Sequence, residues 1–167
     1  MSGTMGEHGM AVMLARGELA IEADPVGHGT DQRSGARAAR RGTVDTVDAR
    51  RHPRRRRTVC NELAQSTGLA VILDEASLPV LPQVAGACDL LGIDPLYVAN
   101  EGKFVAIVPE REAEAGLAAL RGCPGGQDAA IVGEVLAEPE GIVALRTAFG
   151  GSRIVDMLVG DPLPRIC

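Results

Sequence analysis

Apolar residues recur at helical spacing in several stretches of the chain and run without interruption in others. Met10, Met13 and Leu14 share one face at i, i+3 and i+4, which predicts a short helix over Gly6 to Arg16. Leu19 to Ala23 suits a strand. From Pro25 to Arg57 the pattern fails: there is no aromatic, Leu, Ile or Met, and only three Val. Such a segment buries too little to offset its ordering entropy, and it is expected to be disordered or badly packed. Order returns at Thr58. Val59 and Leu63 lie at i and i+4 of a helix ended by Gly68, and the apolar run Leu69 to Leu73 predicts a buried strand. Pro82 fits the first turn of a helix that carries Val84, Cys88 and Leu91 at i, i+4 and i+7, with Gly92 as its stop. Asp94-Pro95 turns the chain, and Phe104 to Val108 predicts a second buried strand. Pro109 then opens the clearest helix. Glu110, Glu112 and Glu114 favour its N-terminal dipole, Ala113, Leu117 and Leu120 form its stripe, and Arg121, Gly122 and Pro124 end it. Strands follow at about Ala129 to Leu136, Ile142 to Ala148 and Arg153 to Leu158. Strands alternating with helices and then a strand-rich end predict an α+β fold, a mixed sheet with packed helices. Residues Asp161-Pro162-Leu163-Pro164-Arg165-Ile166-Cys167 cannot form a helix and read as an extended C-terminal tail.

Composition narrows this picture. The 167 residues suit one domain, and with 46% apolar residues but no Trp, one Tyr and two Phe the core must be built from Ala, Val, Leu and Ile. No window approaches the roughly 18 apolar residues of a membrane helix. Met1 to Met13 lacks the basic start of a signal peptide, and Glu7 and His8 interrupt its apolar stretch. The four cysteines, Cys60, Cys88, Cys123 and Cys167, show neither a C-x-x-C pair nor zinc spacing. Free thiols in a reducing cytoplasm are therefore expected, without a structural metal. The net charge of −5 hides a division: residues 25–57 hold ten Arg against three acids, a net +7, while the rest is strongly acidic.

Little inside the chain carries chemistry. No arrangement resembles a catalytic triad or a P-loop, and Gly125-Gly126 and Gly150-Gly151 read as turn glycines. Cys60 and Cys88 fall on helix faces as core thiols, and Cys123 beside Pro124 is incidental. Cys167 differs, because it stands behind an extended arm; seven residues from Asp161 reach roughly 23 Å at about 3.3 Å each. A thiolate so placed suits a carrier, loaded in one active site and presented in another.

The ending Asp156-Met157-Leu158-Val159-Gly160-Asp161-Pro162-Leu163-Pro164-Arg165-Ile166-Cys167 resembles the C-terminal signature of the HypE family of hydrogenase maturation factors. So do Gly3-Thr4-Met5-Gly6-Glu7-His8-Gly9, Asn61-Glu62-Leu63-Ala64 and the run from Asp94 to Lys103 through Tyr97-Val98-Ala99-Asn100-Glu101-Gly102. The resemblance spans residues 1–24 and 58–167. It implies the fold of the C-terminal domain of aminoimidazole ribonucleotide synthetase, related also to selenophosphate synthetase. It implies, further, that Cys167 accepts a carbamoyl group from a partner carbamoyltransferase. ATP-dependent dehydration to a thiocyanate follows, and the cyanide goes to the iron of a nickel–iron hydrogenase. Glu101 is then the candidate base and Asn100 a positioning group. His8 matches a family His near the start of its helix. The family is similarly expected to use ATP and magnesium, to form homodimers, and to meet an iron-carrying maturation scaffold.

Two departures accompany the match. The family half that supplies most of the ATP and magnesium site is not in the sequence, so neither is expected to bind this chain alone, and a truncated, impaired form is expected. In addition, the family's Asp-Pro-Thr-Arg-Gly-Gly element, expected before Thr58, is replaced by Asp48 to Arg57. Encoded as GAT GCG CGA CGC CAC CCG CGG CGG CGT CGG, that stretch read one base later gives Met-Arg-Asp-Ala-Thr-Arg-Gly-Gly-Val, which points to paired frameshifts. The organisation expected is thus 1–24 as the start of the domain, 25–57 aberrant, 58–159 its remainder and 160–167 a tail ending in the carrier Cys. Two other functions compete. One is a non-catalytic binding domain. The other is Arg-rich nucleic-acid binding, which the four consecutive Arg of residues 54–57 would permit nonspecifically but for which no interleaved aromatics or reader motif exist.

Overall fold

The structure, a computed structural model, describes residues 1–6, 56–98, 100 and 102–157. The helix and strand expected at Gly6 to Arg16 and Leu19 to Ala23 lie outside the described residues, as do the tail and most of the Arg-rich segment. The helix expected from Thr58 begins two residues earlier: α1 spans Arg56–Thr67, so the last two Arg of that segment are helical.

The buried face of α1 is Cys60, Asn61 and Ala64, one position round from the expected Val59 and Leu63 stripe. The small Cys60 and Ala64 let the helix sit close on the sheet, and Leu63 packs at the margin. Gly68, at positive φ, ends it by donating to the Ala64 carbonyl at 2.9 Å. Strand β1, Ala70–Asp74, follows, and the Asp74 carboxylate caps a 3-10 turn over Glu75–Ser77. Helix α2, Pro82–Leu91, starts on its proline and stops at Gly92, as the sequence predicts. Its buried residues are Val84, Ala87 and Cys88; Leu91 is 39% exposed because the i+7 position falls in the last turn, beyond the packed face.

Helix α3, Glu110–Arg121, has the expected charge arrangement, with Glu110 and Glu112 in the first turn and Arg121 in the last. Its stripe of Ala113, Leu117 and Leu120 is half-buried rather than buried. Phe104 to Val108 does not form the expected buried strand: all five residues are half-buried, with only Ile107 at a single bridge position. Phe104 engages Ser2 instead, accepting from the Ser2 amide and donating to its hydroxyl, so a side chain takes one ladder position.

The sheet has four strands in the order β2-β1-β3-β4, with β2 at Gly133–Leu136, β3 at Val143–Arg146 and β4 at Ser152–Ile154. Strand β1 pairs antiparallel with β2 (Val71 opposite Val135) and parallel with β3 (Val71 opposite Val143). Strand β4 closes antiparallel on β3, with Leu145 opposite Arg153. The core face carries Val71, Leu73, Val143 and Leu145, with Met5, Leu96 and Val155 packed among them. A second cluster gathers Val84, Ala87, Cys88 and Val98. At Gly133 the strands approach so closely that a Cβ would lie 2.0 Å from the Ile72 carbonyl oxygen. Among the described residues no helix is long and apolar enough to cross a membrane.

Candidate functional site

Residues Met1 to Gly6 run between two segments distant in sequence. Met1 exchanges backbone bonds with Ala130, at 2.7 and 3.0 Å, and Ser2 meets Phe104. The Met5 amide donates to the Pro79 carbonyl at 2.8 Å, and Met5 bridges Val80 in parallel. Gly6 ends the run at φ 82°, where a Cβ would lie 2.5 Å from Val84 Cγ1, so only glycine fits without displacing the second core cluster.

The Gly6 amide donates to Asn100 Oδ1 at 2.7 Å, and Asn100 Nδ2 donates to the Val98 carbonyl at 3.0 Å. One acceptor and one donor of the carboxamide are thereby used, which fixes its plane and leaves a second N–H and a second lone pair to meet a ligand. Asn100, expected as a positioning residue, is thus held by two bonds and is itself half-buried. Glu101, Cys167 and His8 lie outside the described residues.

Behind Asn100 the chain is braced in turn. Asp94 Oδ1 caps the Pro95–Tyr97 turn by accepting from the Leu96 amide at 2.8 Å, and Asp94 Oδ2 accepts from the Arg153 guanidinium of β4. Two residues further on, the Val155 carbonyl accepts from the buried Asn61 Nδ2 of α1 at 2.9 Å. Sequence reasoning gave Asp94 a turn with Pro95, which the cap agrees with, but no ion pair, and assigned no role to Arg153 or to this use of Asn61. A polar residue on the small-residue face of α1 was the available signal, but its partner lies 94 positions away.

Two of the other thiols are shielded from solvent. Cys60 and Cys88 are buried, and burial, reinforced by the Asp94 and Asp89 carboxylates, pushes the Cys88 thiol from 9.0 up to about 11. Cys123 is half-buried and its Sγ donates to the Ala119 carbonyl at 3.3 Å.

A nucleotide needs cations or amide groups aimed at its phosphates. The cation beside the N-terminal run is Lys103, whose Cδ and Nζ lie 3.1 and 3.2 Å from where a Gly3 Cβ would stand. Lys103 therefore fills the space over Gly3 itself. Among the described residues there is also no group of three His, Cys, Asp or Glu placed to hold a metal.

Residues 1–146 match the family described as AIR synthase related protein, C-terminal domain. The whole chain aligns with the carbamoyl dehydratase HypE of Rhodobacter capsulatus at 45% identity, covering 49% of it, and with that of Cupriavidus necator at 46%, covering 48%. The chain spans about half the length of these curated relatives. A crystal structure of hydrogenase maturation protein HypE superposes with TM-score 0.86 at 38% identity, over 99% of this chain and 54% of that one. The protein in complex with ATP gives 0.85 at 37%, over 99% and 51%, and a HypE–HypF complex gives 0.81 at 37%, over 93% and 50%.

Proposed function

Because the chain belongs to the AIR synthase related protein family, C-terminal domain, and aligns along its whole length with HypE carbamoyl dehydratases, we propose that it serves nickel–iron hydrogenase maturation as the C-terminal half of such a dehydratase. The 45% identity with the Rhodobacter capsulatus protein carries this reading. The Cys167 sulfur attacks the activated carbamoyl carbon held by the transferase, losing its thiol proton as the bond from that carbon to the activating oxygen breaks, and a thiocarbamate results. ATP supplies the phosphoryl group that makes the amide oxygen a leaving group. One nitrogen proton is released to solvent as the amide oxygen takes the phosphoryl group and ADP leaves, and Glu101 takes the second as the carbon–oxygen bond breaks and phosphate departs, leaving a thiocyanate on the Cys167 sulfur. Asn100 orients the amide through the donor and acceptor that Gly6 and Val98 leave open.

The donor partner is a carbamoyltransferase, a reading supported by the solved HypE–HypF complex of a relative. The acceptor is an iron-carrying scaffold. ATP and magnesium bind with residues of the other half, in a homodimeric, cytoplasmic assembly. Residues 48–57 stand where the family's Asp-Pro-Thr-Arg-Gly-Gly element is expected, so the ATP-dependent step is impaired until that element is restored.

The test joins the chain, with the element restored, to the N-terminal half of the Rhodobacter capsulatus relative. With carbamoyltransferase, labelled carbamoyl phosphate and MgATP, Cys167 should gain label and then lose the mass of water. Glu101→Gln should load but retain that mass. Equal labelling of Cys167→Ala would overturn the proposal.

A further inference from the structure

Residues Met1 to Gly6 behave as a strand with a neighbour on each side. On one side Met1 and Ala130 exchange both backbone bonds, which marks a hydrogen-bonded antiparallel pair. On the other side Ser2 meets Phe104, Lys103 lies over Gly3, and Asn100 holds Gly6. As the run advances from Ser2 to Gly6 its partners step back from Phe104 to Asn100, so this side is antiparallel too.

Both flanking segments continue past the pairs made by Met1 and Ser2. Beyond Phe104 come Val105, Ala106, Ile107 and Val108, all half-buried, with Ile107 at a bridge position. Beyond Ala130 come Ile131, 41% exposed, and then β2, whose described partner is β1 on its other edge. Two segments that flank one strand stand about 10 Å apart, twice the spacing of paired strands. Among the described residues no strand lies between them. Backbone groups along such a gap call for partners, and an extended strand supplies them on both sides at once. The alternation of side chains is also set. Met1 is buried in the main core with Val132, whereas Ser2 is not part of it. A chain that entered ahead of Met1 in the same extended form would therefore turn its second residue back from Met1 to that core.

We propose that residues 105–108 and the outer edge of residues 131–136 form a strand-acceptor slot. Its occupant is the extended segment immediately ahead of this domain in the longer HypE relatives, with an apolar residue two positions before Met1. This chain spans 49% and 48% of two such relatives, so each carries about as much chain again. The assignment rests on the reading of this chain as the C-terminal half of such a protein. The competing occupant is a second copy of the chain, because an open sheet edge is a template for any strand.

The test lengthens the chain at its N-terminus by the six residues that precede the aligned position in the Rhodobacter capsulatus relative. The Phe104 amide faces Ser2, so by strand alternation the amides of Ala106 and Val108 face the slot and report its filling. The extension should slow exchange at both by about ten-fold or more and raise the urea midpoint. A second extension, with prolines at the two positions nearest Met1, cannot donate to the ladder and should leave both amides at the parent rate. Unchanged exchange at Ala106 and Val108 in the first extension, or equal slowing in the proline version, would overturn the proposal. So would a parent chain in which these two amides slow with rising protein concentration as a dimer forms, since a second copy would then fill the slot. Protection in a chain whose Cys167 never accepts a carbamoyl group would uphold the slot and refute the role proposed for Cys167. Carbamoylation without protection would do the reverse.

Discussion

Single residues in this protein are constrained by contacts that no neighbouring sequence reveals. Gly6 combines a left-handed backbone with a Cβ position 2.5 Å from Val84. Gly6→Ala should therefore cost about 2–4 kcal/mol, from backbone strain together with overpacking, measured by urea denaturation. Asn100→Ala removes the acceptor of the Gly6 amide. It should cost about 1–2 kcal/mol, and Asn100→Asp, which keeps an acceptor, should cost less. Cys88 gives a pH signature. Its thiol titrates at 9.0 when unfolded and about 11 when folded, so the folded state holds the proton longer. The stability it contributes is complete below pH 9 and is lost as pH rises toward about 11. Urea denaturation of Cys88→Ala should show a smaller loss over that window than the parent; equal losses would mean Cys88 does not contribute. The sequence marked Asn100 through its place in a recognisable run. Asp94 was marked only as a turn residue in that run, and its pairing with Arg153 went unread because it crosses 59 positions.

At the scale of elements, legibility followed local chemistry. Pro82 and Gly92 bracket α2 because a proline suits a first helical turn and a glycine suits a left-handed stop. Leu69 to Leu73 read as a buried strand because β1 is central, flanked by β2 and β3, and loses its polar alternation. Phe104 to Val108 has the same apolar look, yet it is half-buried and engages Ser2, a partnership settled by the tertiary position of the N-terminal run. The sheet offers its own test at Gly133, where a Cβ would meet the backbone of Ile72 at 2.0 Å. Gly133→Ala should separate β2 from β1 and cost at least about 1–3 kcal/mol. Amide exchange should quicken at Val135 while Val155, bonded to Val143 in β3, stays protected. Equal quickening at both would mean the sheet opens as one unit.

For the molecule as a whole, the fold brings the N-terminal run, Asn100 and β4 with Val155 around one sheet. The central claim is that Cys167 is the acceptor, and one mass measurement tests it. The chain is incubated with carbamoyltransferase, carbamoyl phosphate and MgATP, then cut before Asp161. The expected result is the mass of one carbamoyl group on the Asp161–Cys167 peptide, absent in Cys167→Ala and retained in Cys123→Ala. An unmodified peptide, under conditions that modify the full-length Rhodobacter capsulatus relative, would contradict it.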